Sequence, residues 1–335
     1  MTILVVGYGL IGAQRVQALT DNRQVEKIVV YDPKLEPGQH LFPQVLSISE
    51  GEAFGGRFDA VLVATPHDVA ATILPQVVRR TGFVLAEKPL GRAFREAEQL
   101  AAFATQANTR LFVGLNYRFL RNIQWLRGAL RQGDLGEVLA VDAVLGHGAA
   151  PGYENSWKTD QRRCGGGVCI DPGVHVFDLL RWLFGRIEVV GGARGQSFWK
   201  TEVEDHASVS FSLPNGAIAN VFLSISSWQS RFELTVELQN AQILVRGRGK
   251  YYGPQTVTFV RKWPWGEPDT PRETQFNFGT EDSSLRQETA EFVNIVSGKQ
   301  DATCLATATD ALEAMRVVDS CYHVLSVLGR GMGAS

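Results

Sequence analysis

No apolar run among the 335 residues approaches the ~20 that a membrane-spanning helix needs. A helical membrane protein is therefore excluded. Long runs of one charge are missing too, and the formal net charge is only −2. That balance argues against nucleic acid or an anionic membrane as a main partner. Cysteine is scarce: Cys164, Cys169, Cys304 and Cys321 make up the four, with no CxxC pair and no Cys/His cluster at zinc spacing. No metal site is expected, and the simplest reading is reduced thiols in a cytoplasmic protein. Internal repeats and low-complexity tracts are absent. The chain enters a strand pattern at once, so no leader peptide is expected. The tail from Gly329 to Ser335 is expected to fray. What is present is 44% hydrophobic and 20% charged residues, ample for a sizeable core and for roughly two domains.

The strongest positive signal stands at the beginning. Ile3 to Val6 reads as a buried parallel strand and runs directly into Gly7-Tyr8-Gly9-Leu10-Ile11-Gly12. In this G-x-G-x-x-G spacing Gly7 permits a tight turn, Gly9 leaves room for a pyrophosphate, and Gly12 lets a helix pack close. That helix, from about Leu10 to Thr20, would aim its N-terminal amides at a phosphate. A second strand, Val25 to Tyr31, ends in Asp32, 20 positions beyond Gly12, where an acid binds the adenosine ribose hydroxyls. Alone, the loop would be a glycine-rich turn and Asp32 a turn residue before Pro33. Strand, loop, helix, strand and acid in this order favour a dinucleotide site. A carboxylate there repels a 2′-phosphate, so NAD is expected rather than NADP, with Lys34 as the residue that could offset it.

Strand and helix then alternate. After a polar loop over Lys34 to Pro43, strands are expected at Asp59 to Thr65, Gly82 to Ala86 and Arg110 to Leu115, with helices at Asp68 to Arg80 and Arg95 to Ala107. This α/β alternation implies a doubly wound parallel sheet whose ligand lies outside the carboxyl ends of its strands. Thr65, Pro66, His67, Glu87, Lys88, Asn116, Tyr117 and Arg118 all follow such ends and are expected to line one crevice. The character changes near Arg118, which sets the expected domains at 1–118 and 119–335. In the second part a helix at Leu120 to Gln132 and a strand at Glu137 to Leu145 precede a polar, aromatic loop over Gly146 to Gly166. A helix from Gly167 to Phe184 follows. Val209, Phe211 and Leu213 then interleave with Ser208, Ser210 and Ser212, and Pro214-Asn215-Gly216 turns a hairpin. Helices at Asp282 to Ser297 and Ala306 to Leu328 close an α+β domain with a mostly antiparallel open sheet.

Four motifs, in order and spacing, resemble the Gfo/Idh/MocA oxidoreductases: the glycine loop, Glu87-Lys88-Pro89, Asn116-Tyr117-Arg118-Phe119, and Gly165-Gly166-Gly167 leading to Asp171-x-Gly173-x-His175-x-x-Asp178. The resemblance covers nearly the whole chain. It implies a Rossmann domain for the first part and hydride transfer between a nicotinamide dinucleotide and a hydroxyl of a sugar or cyclitol. It also implies that Lys88, Asp171 and His175 line the substrate site and share proton transfer. The residue types suit the task, because oxidising an alcohol also requires its hydroxyl proton to leave. On one helix Asp171, His175 and Asp178 would share a face at i, i+4 and i+7. Read alone, Asp171 before Pro172 would instead be an N-cap with proline at N1. His175 alone would be a core histidine, and Lys88 alone an exposed strand-end lysine.

The chain departs from the family at Thr65-Pro66-His67-Asp68-Val69-Ala70, where the family often has T-P-N-x-x-H. Side-chain roles at His67 and Ala70 are thereby in doubt. Trp157-Lys158 stands where the family commonly has Trp-Arg on a substrate loop, an aromatic face beside a cation that suits a polyhydroxylated ring. Tyr117 and Arg118 are candidate ligands for substrate hydroxyls or a carboxylate, or else a pair at the domain boundary. The resemblance also implies a homodimer or homotetramer associating through the second sheet. Two other activities fit the same motifs. One is transient oxidation by tightly held NAD with net elimination or glycoside cleavage. The other is a non-catalytic dinucleotide sensor, which would tend to lose Lys88 or His175.

Overall fold

In the computed structural model, residues 1–262, 272–299 and 304–328 are described. The expected frayed tail, Gly329 to Ser335, lies outside them. In chain order the first elements are β1 (Thr2–Val6), α1 (Leu10–Thr20), β2 (Lys27–Tyr31), β3 (His40–Phe42), β4 (Val45–Ser47) and α2 (Glu50–Gly55). Next come β5 (Ala60–Val63), α3 (His67–Val77), β6 (Phe83–Glu87), α4 (Phe94–Gln106), β7 (Arg110–Gly114) and α5 (Arg121–Gln132). Then follow β8 (Val138–Gly146), α6 (Gln161–Cys164), α7 (Gly173–Phe184), β9 (Glu188–Gly195), β10 (His206–Ser212), β11 (Ile218–Ser224) and β12 (Arg231–Leu238). The last are β13 (Ala241–Arg246), β14 (Thr256–Arg261), β15 (Arg272–Asn277), α8 (Ser284–Val296), β16 (Ala306–Thr307), α9 (Ala308–Val324) and β17 (Ser326–Leu328). Among the described residues no helix is long and apolar enough to cross a membrane.

The chain divides into two compact units. The first holds Met1–Asn116, Arg162–Gly165 and Ser283–Arg316. Its sheet runs β16-β7-β6-β5-β1-β2-β4-β3, with β7 through β4 parallel and an antiparallel strand at each edge. Helices cover both faces, so Ile3–Val6 of β1 and Ala60–Val63 of β5 are apolar and almost fully buried. Strand numbering reverses between β5 and β1, the switch point at which such sheets bind ligands. The expected division at Arg118 assigned everything beyond it to one domain, but 283–316 folds with the first unit. The reason is packing: α8 lies on α1, Phe292 meets Phe112 of β7 edge-on at 6.0 Å, and β16 extends the sheet. The polar loop expected at Lys34 to Pro43 contains β3, and α2 follows it. A capping box starts α2: the Ser49 hydroxyl accepts from Glu52 N–H, and the Glu52 carboxylate accepts from Ser49 N–H.

The second unit holds Tyr117–Gln161, Gly166–Asp282 and the chain from Val317 onward. Its nine-stranded sheet runs β15-β14-β13-β12-β8-β11-β10-β9-β17. Only the β8/β11 and β9/β17 pairs are parallel. Val209 and Phe211 are fully buried, Phe211 packing on Phe177 of α7 at 5.4 Å. The hairpin after β10 closes through Gly216 N–H to Leu213 C=O, with Gly216 at φ +85°. The opposite face of this sheet carries Ile218 and Phe222, 52% and 40% exposed, beside Asn220 and the serines of β10. Glu233 and Glu237 of β12 share it, so this face mixes apolar, polar and charged side chains.

Two helices differ from expectation. The last one ends at Val324, because Ser326–Leu328 pairs with β9 as a strand. The helix expected from Gly167 begins instead at Gly173. A side chain on Gly167 would collide with the Glu204 carbonyl, and one on Gly166 with the Tyr322 hydroxyl. The glycines therefore thread a space too narrow for a helix carrying side chains, and α7 starts only beyond Pro172.

Candidate functional site

The first unit presents its candidate residues along one edge of the parallel sheet. Gly7 follows β1, Asp32 β2, Thr65 β5, Lys88 β6 and Asn116 β7. The strand order therefore sets Asp32 on one side of the glycine loop and Thr65, Lys88 and Asn116 on the other. Gly7 has φ +94°, and a Cβ there would sit 2.5 Å from Ala64 O. A Cβ on Gly12 would strike the Gly7 carbonyl, whereas Gly9 faces open space for 4 Å. The N-cap of α1 is Gly9, which has no side-chain acceptor for the first amides of the helix. Leu10 is 78% exposed and Ile11 36%, apolar cover at the mouth of this cradle. Asp32 Oδ2 accepts from Tyr8 N–H at 2.8 Å and Oδ1 from Lys34 N–H at 2.9 Å, which fixes the carboxylate against the loop. The Thr65 hydroxyl is buried with no hydrogen-bond partner among the described residues. An open glycine, uncapped helix amides, a fixed carboxylate and a buried hydroxyl suit a dinucleotide's phosphates and ribose.

Other expected residues in this unit have structural partners. Glu87 Oε1 lies 2.7 Å from Arg15 Nη2 and 2.9 Å from Nε. Arg15 is 2% exposed and also reaches Glu288 Oε2 at 2.6 Å and Thr289 Oγ1 at 2.9 Å. Burial works against its charge, but Glu87 and Glu288 outweigh that and hold its pKa above the ordinary value. Glu87 thus ties the end of β6 to α1 and α8, next to Lys88. The Lys88–Pro89 and Asp171–Pro172 peptides are both cis. His67, the first residue of α3, is buried and turns Nδ1 to Cys164 C=O at 2.9 Å. A carbonyl only accepts, so Nδ1 carries the proton. Pro66 is the N-cap of the same helix. Asn116 Nδ2 donates to Ser284 Oγ at 2.7 Å.

The second unit assembles a different cluster. Lys158 Nζ lies 2.8 Å from Asp171 Oδ2 and 5.9 Å from the Trp157 ring centroid, so the aromatic and the cation are side by side as expected. Asp171 precedes α7 rather than joining it. It shares no helix face with His175, and the N-cap is Pro172 instead of Asp171. Asp178 is on α7 but faces Arg118: Nε to Oδ2 is 2.8 Å and Nη2 to Oδ1 is 2.5 Å. Arg118 is 3% exposed, and Asp178 holds its guanidinium in a bidentate pair. The His175 imidazole lies parallel to the Tyr117 ring, centroids 4.0 Å apart at 3°. Arg248 was missed by the sequence reading. Its guanidinium lies 4.9 Å from the Tyr117 centroid and 4.3 Å from that of Tyr252. Burial pushes both phenols up, with Arg248 pulling the other way, and Asp171 adds to the rise at each. The one available signal was Gly247-Arg248-Gly249-Lys250-Tyr251-Tyr252-Gly253, two cations and two aromatics framed by glycines. Among the described residues no group of three His, Cys, Asp or Glu side chains is arranged to hold a metal ion.

Comparison with known proteins adds to this geometry. Residues 1–115 match the profile described as oxidoreductase family, NAD-binding Rossmann fold. Residues 123–244 match the GFO/IDH/MocA C-terminal domain. The rhizopine catabolism protein MocA of Rhizobium meliloti is 33% identical over 184 residues, 54% of this chain and 56% of that protein. The chain spans about half to three fifths of the length of the curated relatives it matches most strongly. Levoglucosan dehydrogenase in complex with NADH has the same fold at TM-score 0.80 and 17% identity, covering 96% of each chain. A 3-ketoreductase from Actinomadura kijaniata, in complex with NADP and TDP-benzene, aligns at TM-score 0.79 and 17% identity over 98% of this chain and 99% of the other.

Proposed function

We propose, from the premise that this chain belongs to the Gfo/Idh/MocA family of oxidoreductases, that it transfers a hydride between a nicotinamide dinucleotide and a secondary hydroxyl or ketone of a sugar or cyclitol. The observation that carries the reading is the glycine cradle with the Asp32 carboxylate fixed beside it at 2.8 Å from Tyr8 N. The amides of Gly9 to Gly12 hold the pyrophosphate, Asp32 the adenosine ribose, and the Thr65 hydroxyl a further polar group of the cofactor. Once bound there, the nicotinamide supplies the hydride acceptor or donor. Asp32 favours NAD, since a 2′-phosphate would meet its negative charge.

The chain's own side chains manage the proton and the substrate. Lys88, His175 and Asp171 are assigned to proton transfer at the reacting hydroxyl. A lysine amine or neutral imidazole takes the proton as the alcohol is oxidised and returns it in the reverse direction. Lys158 and Trp157 are assigned to the substrate's other hydroxyls, through ammonium hydrogen bonds and the apolar face of the ring. Direction is a matter of concentrations, since the same groups serve both. The test is NADH formation from NAD with myo-inositol, D-glucose and D-gluconate as probes. NADH with at least one supports the dehydrogenase. Turnover of a substrate without net NADH, by protein that retains its cofactor through purification, would replace it with transient oxidation. NAD binding without any turnover would point to a sensor.

A further inference from the structure

We infer that Tyr117 and Arg248 are positioning residues that fix the plane of the His175 imidazole. The inference rests on the reading of His175 as a proton-carrying group. A helix position alone does not set that plane, because histidine χ2 has broad, roughly two-fold wells. α7 brings the His175 Cβ to its place, and something else must hold the ring. Tyr117 does so by lying parallel to it at 4.0 Å and 3°. Phe232 meets the Tyr117 ring nearly perpendicular, at 82° and 5.5 Å. Tyr117 thus packs against the His175 ring, the Phe232 ring and the Arg248 guanidinium, whose Cζ lies 4.9 Å from its centroid. Arg248 in turn lies over Tyr252 at 4.3 Å. Imidazole, phenol, guanidinium and phenol form one column. Tyr117 is 4% exposed and His175 5%, so neither ring can tilt without opening a void.

The column is supported from below. Arg248 stands between Gly247 at φ +69° and Gly249 at φ +89°, left-handed positions that suit glycine. A Cβ on Gly247 would strike the Pro254 carbonyl. The fully buried Asn122 donates through Nδ2 to Arg246 C=O at 3.0 Å and to Gly247 C=O at 2.7 Å, which pins the turn. The half-buried Arg248 keeps its charge because two aromatic rings and the nearby Asp282 carboxylate offset its lost hydration.

The experiment compares Tyr117→Phe, Tyr117→Leu, Arg248→Lys and Arg248→Met in the full chain by two readouts. The first is the His175 ring resonance in heteronuclear NMR, assigned with His175→Gln among the six histidines. A proton held over a phenol face is shifted upfield. Tyr117→Phe keeps that shift, Tyr117→Leu loses it, and Arg248→Met moves it part of the way. The second is NAD reduction with whichever of myo-inositol, D-glucose and D-gluconate the wild type oxidises fastest. Misplacing a reacting group by about 1 Å costs ~10²-fold, so Tyr117→Leu lowers kcat by about that factor with KM and NAD affinity unchanged. Tyr117→Phe and Arg248→Lys retain most of kcat. An unshifted His175 resonance in the wild type, or a shift that survives Tyr117→Leu, overturns the inference. So does a Tyr117→Phe variant as slow as Tyr117→Leu. Should Tyr117→Leu fail to fold, Arg248→Met against Arg248→Lys decides by the same two readouts. If the wild type reduces no NAD with any probe, the proposed function falls, and the resonance still decides whether the column holds the ring.

Discussion

Replacing Arg15 with methionine removes the guanidinium that two carboxylates share. Arg15 Nη2 lies 2.6 Å from Glu288 and 2.7 Å from Glu87. The two partners differ in exposure: Glu87 is 17% exposed and Glu288 is fully buried. Without Arg15, Glu87 can recover water, whereas Glu288 loses this charge partner at a position closed to solvent. Breaking a buried pair in this way costs about 3–5 kcal/mol. At roughly 2–4 °C per kcal/mol for a domain of this size, the melting temperature falls by about 6–20 °C. Gly114 is part of the same arrangement, since a Cβ there would sit 2.8 Å from Arg15 Nη2. Calorimetry of wild type, Arg15→Met, Glu288→Met and the double variant is the assay. The double variant removes both charges of the buried pair and regains much of the loss, because well-packed apolar replacements of buried pairs are often near neutral. An Arg15→Met variant within about 1 kcal/mol of wild type, or a double variant no more stable than Arg15→Met, would refute the reasoning.

Three further outcomes follow from other parts of the molecule. NAD binds more tightly than NADP in a fluorescence titration, and Asp32→Ala narrows the gap; tighter NADP binding by wild type would mean that Lys34 or a loop residue outweighs the carboxylate. The protein is a homodimer or homotetramer by light scattering at micromolar concentration, through the sheet face bearing Ile218 and Phe222; a monomeric mass would sink this. Burial opposes the charge of Asp205, but bonds from His206 and from the Ser197, Phe198 and Trp199 amides prevail and hold its pKa below the ordinary value. A depressed folded pKa lends stability above the unfolded value near ~4, lost as pH falls through the folded one. Asp205→Asn therefore flattens the acid limb of the stability profile, and an unchanged limb would show that Asp205 contributes nothing to it.

The parts of this fold legible in the sequence are those with local causes. α1 runs over Leu10–Thr20 as its glycine loop and apolar spacing indicate, and Asp32 stands by that loop because strand β2 ends there. The β10–β11 hairpin is written in Pro214-Asn215-Gly216. The parts that stayed hidden depend on distant partners. Arg15 and Glu288 are 273 positions apart, and nothing local marks Arg15 as a buried arginine. That pairing is also why α8 escaped assignment to the first unit. Arg118 and Asp178, 60 positions apart, form a buried pair that no local pattern announces. Asp171 and His175 seemed to share a helix because their spacing allows it. Bends and turns over Gly165 to Pro172 delay α7 to Gly173, and the contacts of Gly166 with Tyr322 and of Gly167 with Glu204 in that stretch are not readable from local pattern.

Lys88 and His175 are proposed to carry the proton of a reaction whose cofactor is held elsewhere, by Gly7 to Gly12 and Asp32. The most direct test of this proposal measures NAD affinity and the rate of NADH formation on the same preparations of wild type, Lys88→Met and His175→Ala. The prediction is unchanged NAD affinity with a rate loss of ~10²–10⁴-fold in each variant. A His175→Ala variant that keeps more than about a tenth of the wild-type rate, less than the loss a positioned acid–base group explains, would contradict it and reduce His175 to a packing residue.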